Sequence, residues 1–160
     1  MAKIIGIVAI DRNGAIGKDG RLPWHYSSDL KFFRAQTTGN VCVMGRRTWE
    51  ALKGPLKERL NVVLTSGGGV GPQPGVVVLR DKESVLSLRE YLACDIYVIG
   101  GARVYGQFLA ETDRWVITEV PLAVEGADTF MPAGFLEGFR RYDSLRLEDG
   151  LTVGFYEREP

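Results

Sequence analysis

DIYVIGGARVY, residues 95–105, decides the fold. Ile96 to Ile99 form an apolar run too short for a helix, two glycines stop it, and ARVYGQFL (102–109) continues with helical spacing. A buried strand handing over to a helix through glycine is half of a βαβ unit. Such units build a parallel sheet covered by helices.

The same pattern repeats outward from this stretch. VCVMG (41–45) is a short apolar strand followed by the helical RRTWEAL, and Gly54-Pro55 breaks that helix. LNVVLTS (60–66) is a buried strand stopped by Gly67-Gly68-Gly69, and GVVVL (75–79) is another. KIIGIVAI (3–10) and DRWVITEV (113–120) also read as strands. KESVLSLREYL (82–92) is a helix with Val85, Leu88 and Leu92 on one face, and a further helix capped by Ser27 or Ser28 runs to about Thr38. The tail, FRRYDSLRLEDGLTVGFYERE, reads as two strands joined at Asp149-Gly150. The expectation is a single α/β domain over 1–160. It has a mostly parallel central sheet of about eight strands, a C-terminal antiparallel hairpin and about four flanking helices.

Composition narrows the function classes. Lys plus Arg and Asp plus Glu both count 20. This neutral balance offers no basic stripe for nucleic acid and no patch for an anionic membrane. No apolar stretch approaches the roughly 18 residues of a spanning helix. The start, MAKIIGIVAI, reads as a strand and lacks a signal peptide's cleavage pattern. Cys42 and Cys94 form no C-x-x-C pair and read as reduced core thiols, which points to the cytoplasm. With His25 the only histidine, a His-based triad or metal cluster is not expected, and no metal ligand is assigned. A neutral surface makes a monomer the default.

Two features carry chemistry. VCVMGRRT, NVVLTSGGG and DIYVIGGARVY each end a strand at glycine or a small polar residue. Glycine lets a phosphate approach exposed backbone N–H groups, and Arg46, Arg47 and Arg103 add cations there. Ordinary βα turns also use glycine, and the G-x-G-x-x-G fingerprint is missing at the first strand, so a dinucleotide would bind by another route. The second feature is Asp29 in RLPWHYSSDLKFFRAQT (21–37). Phe32 and Phe33 lie at i+3 and i+4. An acid in a first helical turn suits the helix dipole, whereas an acid buried beside aromatic rings has a raised pKa and can handle a proton. Spacing alone leaves both readings open.

A resemblance goes further. L-P-W-x-x-x-x-D-L-x-x-F at 22–33 resembles the substrate-binding segment of dihydrofolate reductases. I-V-A-I at 7–10, A-I-G at 15–17, V-M-G-R-R-T-W-E at 43–50, R-x-N-V-V-L-T-S at 59–66, V-I-G-G-A-R-V-Y at 98–105, W-V-I-T at 115–118 and G-A-D-T-F-M-P at 126–132 follow in family order over nearly the whole chain. The resemblance implies reduction of 7,8-dihydrofolate to tetrahydrofolate with NADPH, in support of one-carbon and thymidylate metabolism. A hydride passes from nicotinamide C4 to pterin C6, and N5 gains a proton.

The resemblance also implies roles. Asp29 would pair with the pterin's 2-amino group and N3, with Trp24, Leu22 and Thr118 completing the catalytic set. Ile7, Val8, Ile99 and Tyr105 would border the pterin. Leu30, Phe33, Leu52 and Leu56 would clasp the aminobenzoyl ring, and Arg59 would take the α-carboxylate of the glutamate tail. Ala9, Ile16 and Gly17 match the nicotinamide end of the cofactor. Gly45, Arg46, Arg47 and Thr48 stand at one helix start; Ile99, Gly100, Gly101, Ala102, Arg103, Val104, Tyr105 and Gln107 stand at the other. Leu64, Thr65, Ser66 and Arg80 complete the cofactor set, with Arg46 and Ser66 selecting the 2′-phosphate. The Gly100-Gly101 bond corresponds to a cis peptide in the family. The loop 11–24 corresponds to a mobile lid, and His25 receives no role. Expected partners are dihydrofolate and antifolates such as methotrexate or trimethoprim.

Two rivals stay open on sequence. A riboflavin-pathway or pteridine reductase of the same fold would share the Gly-Gly motif but not Asp29 with Arg59 and Thr118. A catalytically idle nucleotide-binding module would bind NADPH without gripping antifolates.

Overall fold

The structure, a computed structural model, describes residues 1–20 and 23–160. β1 (Ile4–Ile10) begins a sheet of eight strands with β3 (Val41–Gly45), β4 (Leu60–Leu64), β5 (Val76–Leu79), β6 (Ile96–Gly100), β7 (Arg114–Glu119), β9 (Phe139–Arg146) and β10 (Thr152–Arg158). Their spatial order is β5-β4-β3-β6-β1-β7-β10-β9. All neighbours are parallel as far as β7; β10 then runs antiparallel to β7, and β9 antiparallel to β10. The expected mostly parallel sheet with its terminal hairpin is what forms.

α1 (Ser27–Thr37), α2 (Arg46–Ala51), α3 (Lys82–Ser87) and α4 (Ala102–Gln107) cover the faces. Strand alternation sorts the core. Ile5, Ile7, Cys42, Met44, Val63 and Val116 point to the face packed by Phe32 and Phe33 of α1 and Trp49 of α2. Ile4, Val8, Val43, Val62, Val98 and Ile117 point to the opposite face, with Val85 of α3 and Val104 of α4. From β1 the chain crosses to β3 and steps outward to β5. It then returns to lay β6 between β3 and β1. This reversal opens a crevice at the carboxyl ends of β1, β3 and β6, where open α/β sheets bind ligands.

The structure corrects several sequence expectations. The helix expected over 82–92 divides into α3 and a 3-10 turn, Leu88–Tyr91, whose tighter winding ends before Leu92. Neither Ser27 nor Ser28 is the N-cap of α1. Tyr26 holds that position in extended backbone, with no side-chain cap. The hairpin junction at Asp149-Gly150 forms as expected, closed by Leu147 and Leu151, with Gly150 at φ +79° supplying the left-handed residue. A second sheet was not anticipated: β2 (Ala15–Gly17) pairs antiparallel with β8 (Thr129–Phe130). Strands of three and two residues are too short for an alternating pattern to register. The segment expected as a lid is therefore tied down over part of its length. Lys18 Nζ donates to Glu125 O at 2.9 Å, and the Asp19 N–H donates to Asp128 Oδ2 at 2.8 Å.

Two contacts test this architecture. A Cβ at Gly6 would fall 2.3 to 2.8 Å from the indole of Trp115, which packs edge-on to Phe135 in the core. Gly6→Ala should cost about 3 kcal/mol, read as a lower urea midpoint. Asp11 is the other. It is 3% exposed and accepts from the N–H groups of Asn13, Ala15 and Val124, each at 2.8 Å. Burial pushes its carboxyl upward, but the three donors outweigh it and hold it below the ordinary carboxylate value. With the folded value below the unfolded one, the stabilisation is full above the unfolded value of about pH 4 and is lost as pH falls through the folded value. Asp11→Asn should cost about 1–3 kcal/mol at pH 7 by setting an amide against backbone donors. It should also flatten the loss of stability below about pH 4 in urea titrations.

Candidate active site

Asp29 is the third residue of α1, where an acid could reach back to the cap N–H. It does not. Its Oδ1 accepts from Thr118 Oγ1 at 2.7 Å, across 89 residues of sequence. Thr118 sits in β7 two residues after Val116, so its side chain leaves the sheet on the α1 face. Burial beside the sheet raises the Asp29 carboxyl above its ordinary value, and the threonine hydroxyl partly offsets the rise. The carboxylate therefore faces the sheet and does not cap its own helix. A different acid serves the helix start: the Ser28 N–H donates to Asp149 Oδ2 of the terminal hairpin at 3.4 Å.

Around Asp29 the described side chains form a groove. Ile7, Phe33, Leu52, Leu56 and Ile99 belong to one apolar cluster on the α1 face. Tyr105 Oη, fully buried, donates to Ile7 O at 2.7 Å, and burial holds its phenol well above the usual range. The hydroxyl is therefore a donor that fixes the β1 carbonyl, not a proton source. Beyond the apolar wall lies Arg59. Its Nε donates to Lys57 O at 2.9 Å, its Nη1 donates to Thr37 Oγ1 at 3.1 Å, and the guanidinium stands 6.0 Å over the Phe33 ring.

Other assignments fall differently. Leu30 is 51% exposed and does not join that cluster. Val8 points to the opposite face, so only its backbone can border the groove. Trp24 is half-buried just before α1. Leu22 lies outside the described residues.

The glycine turns come together as a second region. Gly45 and Gly101 are the N-caps of α2 and α4, at the ends of adjacent strands β3 and β6. A Cβ at Gly45 would come 3.0 Å from Val104 Cγ2. Thr48 Oγ1 lies 3.5 Å from where a Cβ of Gly100 would be and 3.9 Å from that of Gly101, and the Gly100-Gly101 bond is cis. Arg46 pairs with Glu50 at 2.8 Å and lies over the loop after β4, where a Cβ at Gly69 would strike its Nη2 at 2.7 Å. The same loop begins with Thr65, whose Oγ1 accepts from the Gly67 N–H at 3.2 Å, and the exposed Ser66. Arg47, Arg80, Arg103 and Gln107 are exposed; Leu64 is buried, Ala102 half-buried. Ala9 and Ile16 are half-buried and Gly17 buried, the last two in β2. A concavity of about 740 Å³ is lined by Lys18, Asp19, Pro23 and residues 122–125.

Such a cleft, at the carboxyl ends of a parallel sheet with a half-buried acid beside an apolar wall and cations near glycine turns, defines an α/β enzyme. A model of the dihydrofolate reductase family matches residues 3–150. Dihydrofolate reductase HdrB of Haloferax volcanii is 40% identical over 139 residues, spanning 81% of this chain and 71% of that protein. The dihydrofolate reductase of Haemophilus influenzae is 37% identical over 127 residues, spanning 79% and 76%. The solved dihydrofolate reductase of Enterococcus faecalis, complexed with NADP(H) and RAB-propyl, aligns at a TM-score of 0.87 with 31% identity, over 99% of this chain and 97% of that one. The chain belongs to the dihydrofolate reductase family.

Sequence reading singled out Asp29, Thr118 and Arg59 but passed over Thr37 and Asp149. Thr37 is buried at the end of an amphipathic helix, where a polar residue reads as a stop signal rather than a ligand. The Asp29–Thr118 bond is directly testable. Thr118→Val should move the Asp29 carboxyl higher still, seen as an upward-shifted midpoint in a carbon-13 titration of that carboxyl.

Proposed function

We propose that the chain reduces 7,8-dihydrofolate to tetrahydrofolate with NADPH, feeding one-carbon and thymidylate metabolism. The observation that carries this reading is the half-buried Asp29 carboxylate braced by Thr118 beside an apolar groove. A carboxylate there can accept two hydrogen bonds side by side from an amidine-like edge, as the pterin presents at N3 and its 2-amino group. Ile7, Phe33, Leu52, Leu56 and Ile99 bury the flat rings, and Leu30 closes over them from its exposed position. Arg59 presents a planar fork to the α-carboxylate of the glutamate tail.

The chain's residues fit the dinucleotide. Gly45 and Gly101 leave no side chain between backbone N–H groups and a phosphate, and substituting Gly45 would fill the cradle against Val104. Arg46, Arg47 and Arg103 supply the opposite charge, and Arg46 beside Ser66 suits a 2′-phosphate. Ala9, Ile16 and Gly17 leave room at the nicotinamide end. When bound, NADPH supplies the hydride for pterin C6. Asp29 holds the pterin in register and raises the basicity of N5, and a water molecule carries the proton there. Residues 11–24 exclude other water when folded over the site.

The proposal includes one domain over residues 1–160, acting as a cytoplasmic monomer inhibited by methotrexate or trimethoprim. Cys42 and Cys94 are free thiols, suited to a reducing compartment, and burial pushes the Cys42 thiol up to about 11, which keeps it inert. Among the described residues, no helix is long and apolar enough to cross a membrane.

The test is Asp29→Asn, followed by absorbance decay of NADPH with dihydrofolate across pH. The variant should fold and bind NADPH as the parent does, yet lose roughly 10²- to 10⁴-fold in turnover near neutral pH. Its affinity for methotrexate should fall in the same titration. Parental turnover at pH 7 would overturn the assignment.

A further inference from the structure

Asn61 is the one polar side chain in LNVVL, the strand β4, and it is fully buried. Strand alternation puts it on the face of Val63, the same face that packs Phe33, Leu52 and Leu56. An aliphatic residue would suit a buried strand better, and a buried amide is costly unless its hydrogen bonds are made. Here they are. Oδ1 accepts from the Leu56 N–H at 2.9 Å, and the two Nδ2 hydrogens, one of them shared, face Leu56 O at 3.0 Å, Arg59 O at 3.1 Å and Gly75 O at 3.3 Å. Only one orientation of the amide satisfies this set, because one partner is a donor and three are acceptors.

Three of these four bonds go to one turn. Leu56 and Arg59 bound a single turn, residues 56–59, which supplies both the end of the apolar wall and the guanidinium. Inside that turn Glu58 has φ +61°, a left-handed conformation that side chains other than glycine adopt at a cost. The Gly39 N–H donates to Glu58 O at 2.8 Å on its outer side. Asn61 grips the turn from inside, at Leu56 through both backbone groups and at Arg59 through the carbonyl. The Arg59 side chain therefore leaves the backbone from a fixed point. Its two remaining bonds, to Lys57 O and Thr37 Oγ1, set the direction of the fork.

We propose that Asn61 is a positioning residue for the substrate's anionic tail: its buried amide holds the 56–59 turn so that Arg59 meets the tail carboxylate. The inference rests on the tail-binding role given to Arg59 above. It assigns Asn61 no part in events at the pterin, which lies toward Asp29.

Steady-state kinetics with two substrates separate this role from a merely structural one. Dihydrofolate carries the tail; a 7,8-dihydropterin with only a methyl group at C6 does not. Asn61→Ala should raise KM for dihydrofolate roughly tenfold with kcat within about twofold, and should leave KM for the tail-free substrate and for NADPH unchanged. Asn61→Ser, which retains a hydroxyl for the Leu56 N–H, should fall between parent and alanine variant. It also serves if the alanine variant does not fold. In the Arg59→Ala background the Asn61 substitution should add little, since its effect passes through that side chain. Equal losses with both substrates, unchanged KM for dihydrofolate, or additive losses in the double variant would each overturn the proposal. Arg59→Ala alone distinguishes the two levels. If it raises KM only for the tailed substrate while the Asn61 variants do not, the inference fails and the tail reading stands. If it fails to separate the substrates, both fall.

Discussion

The hydrogen bond between Thr118 Oγ1 and Asp29 Oδ1 joins the first turn of α1 to the carboxyl end of β7 and fixes where the acid stands against the sheet. A carboxylate placed against a sheet loses hydration, and a single hydroxyl returns only part of it. The acid's pKa is therefore raised above its ordinary value. The apolar cluster of Ile7, Phe33 and Ile99 lies on the sheet face from which Thr118 reaches the carboxylate, so the acid is partly withdrawn from water there.

Topology places the second region next to the first. Because β6 is inserted between β3 and β1 after the outer strands are laid down, the glycine turns of β3 and β6 end side by side. Close approach is enforced there: Val104 sits at the limit of contact with Gly45, and Thr48 covers Gly100 and Gly101. Flanking arginines stay exposed at this edge, where charge is well solvated until a ligand arrives. Acid groove and glycine cradle are supplied by interleaved segments: Ile99 of β6 borders one, and Gly101, two residues on, caps α4 in the other.

Support for these regions comes from buried polar groups that touch no reacting atom. Asp11 binds three backbone N–H groups and ties the end of β1 to the segment before β8. Asn61 does the same for the 56–59 turn, and Tyr105 for the Ile7 carbonyl. Each is a polar side chain inside an apolar surrounding with its partners in place. Such groups specify one local arrangement, because any other would leave them unsatisfied.

Local sequence was enough for the layered α/β plan. Apolar runs of strand length, glycine at their ends and helical spacing between them are short-range signals, and 95–105 alone implies a parallel sheet. The family motifs, being ordered segments, were legible in the same way, and so were Asp29, Thr118 and Arg59 as residues of interest. Pairings between distant segments were not legible. Whether Asp29 caps its helix or faces the groove depends on a hydroxyl 89 residues away. The β2–β8 pairing joins pieces too short to show a period, and Asn61 looks like a flaw in a strand until the turn it holds is folded against it. A hydrogen bond is worth having only once both partners have lost their water together. Which buried polar groups meet was therefore decided by the tertiary structure, after the sequence had determined the strands and helices that bring them there.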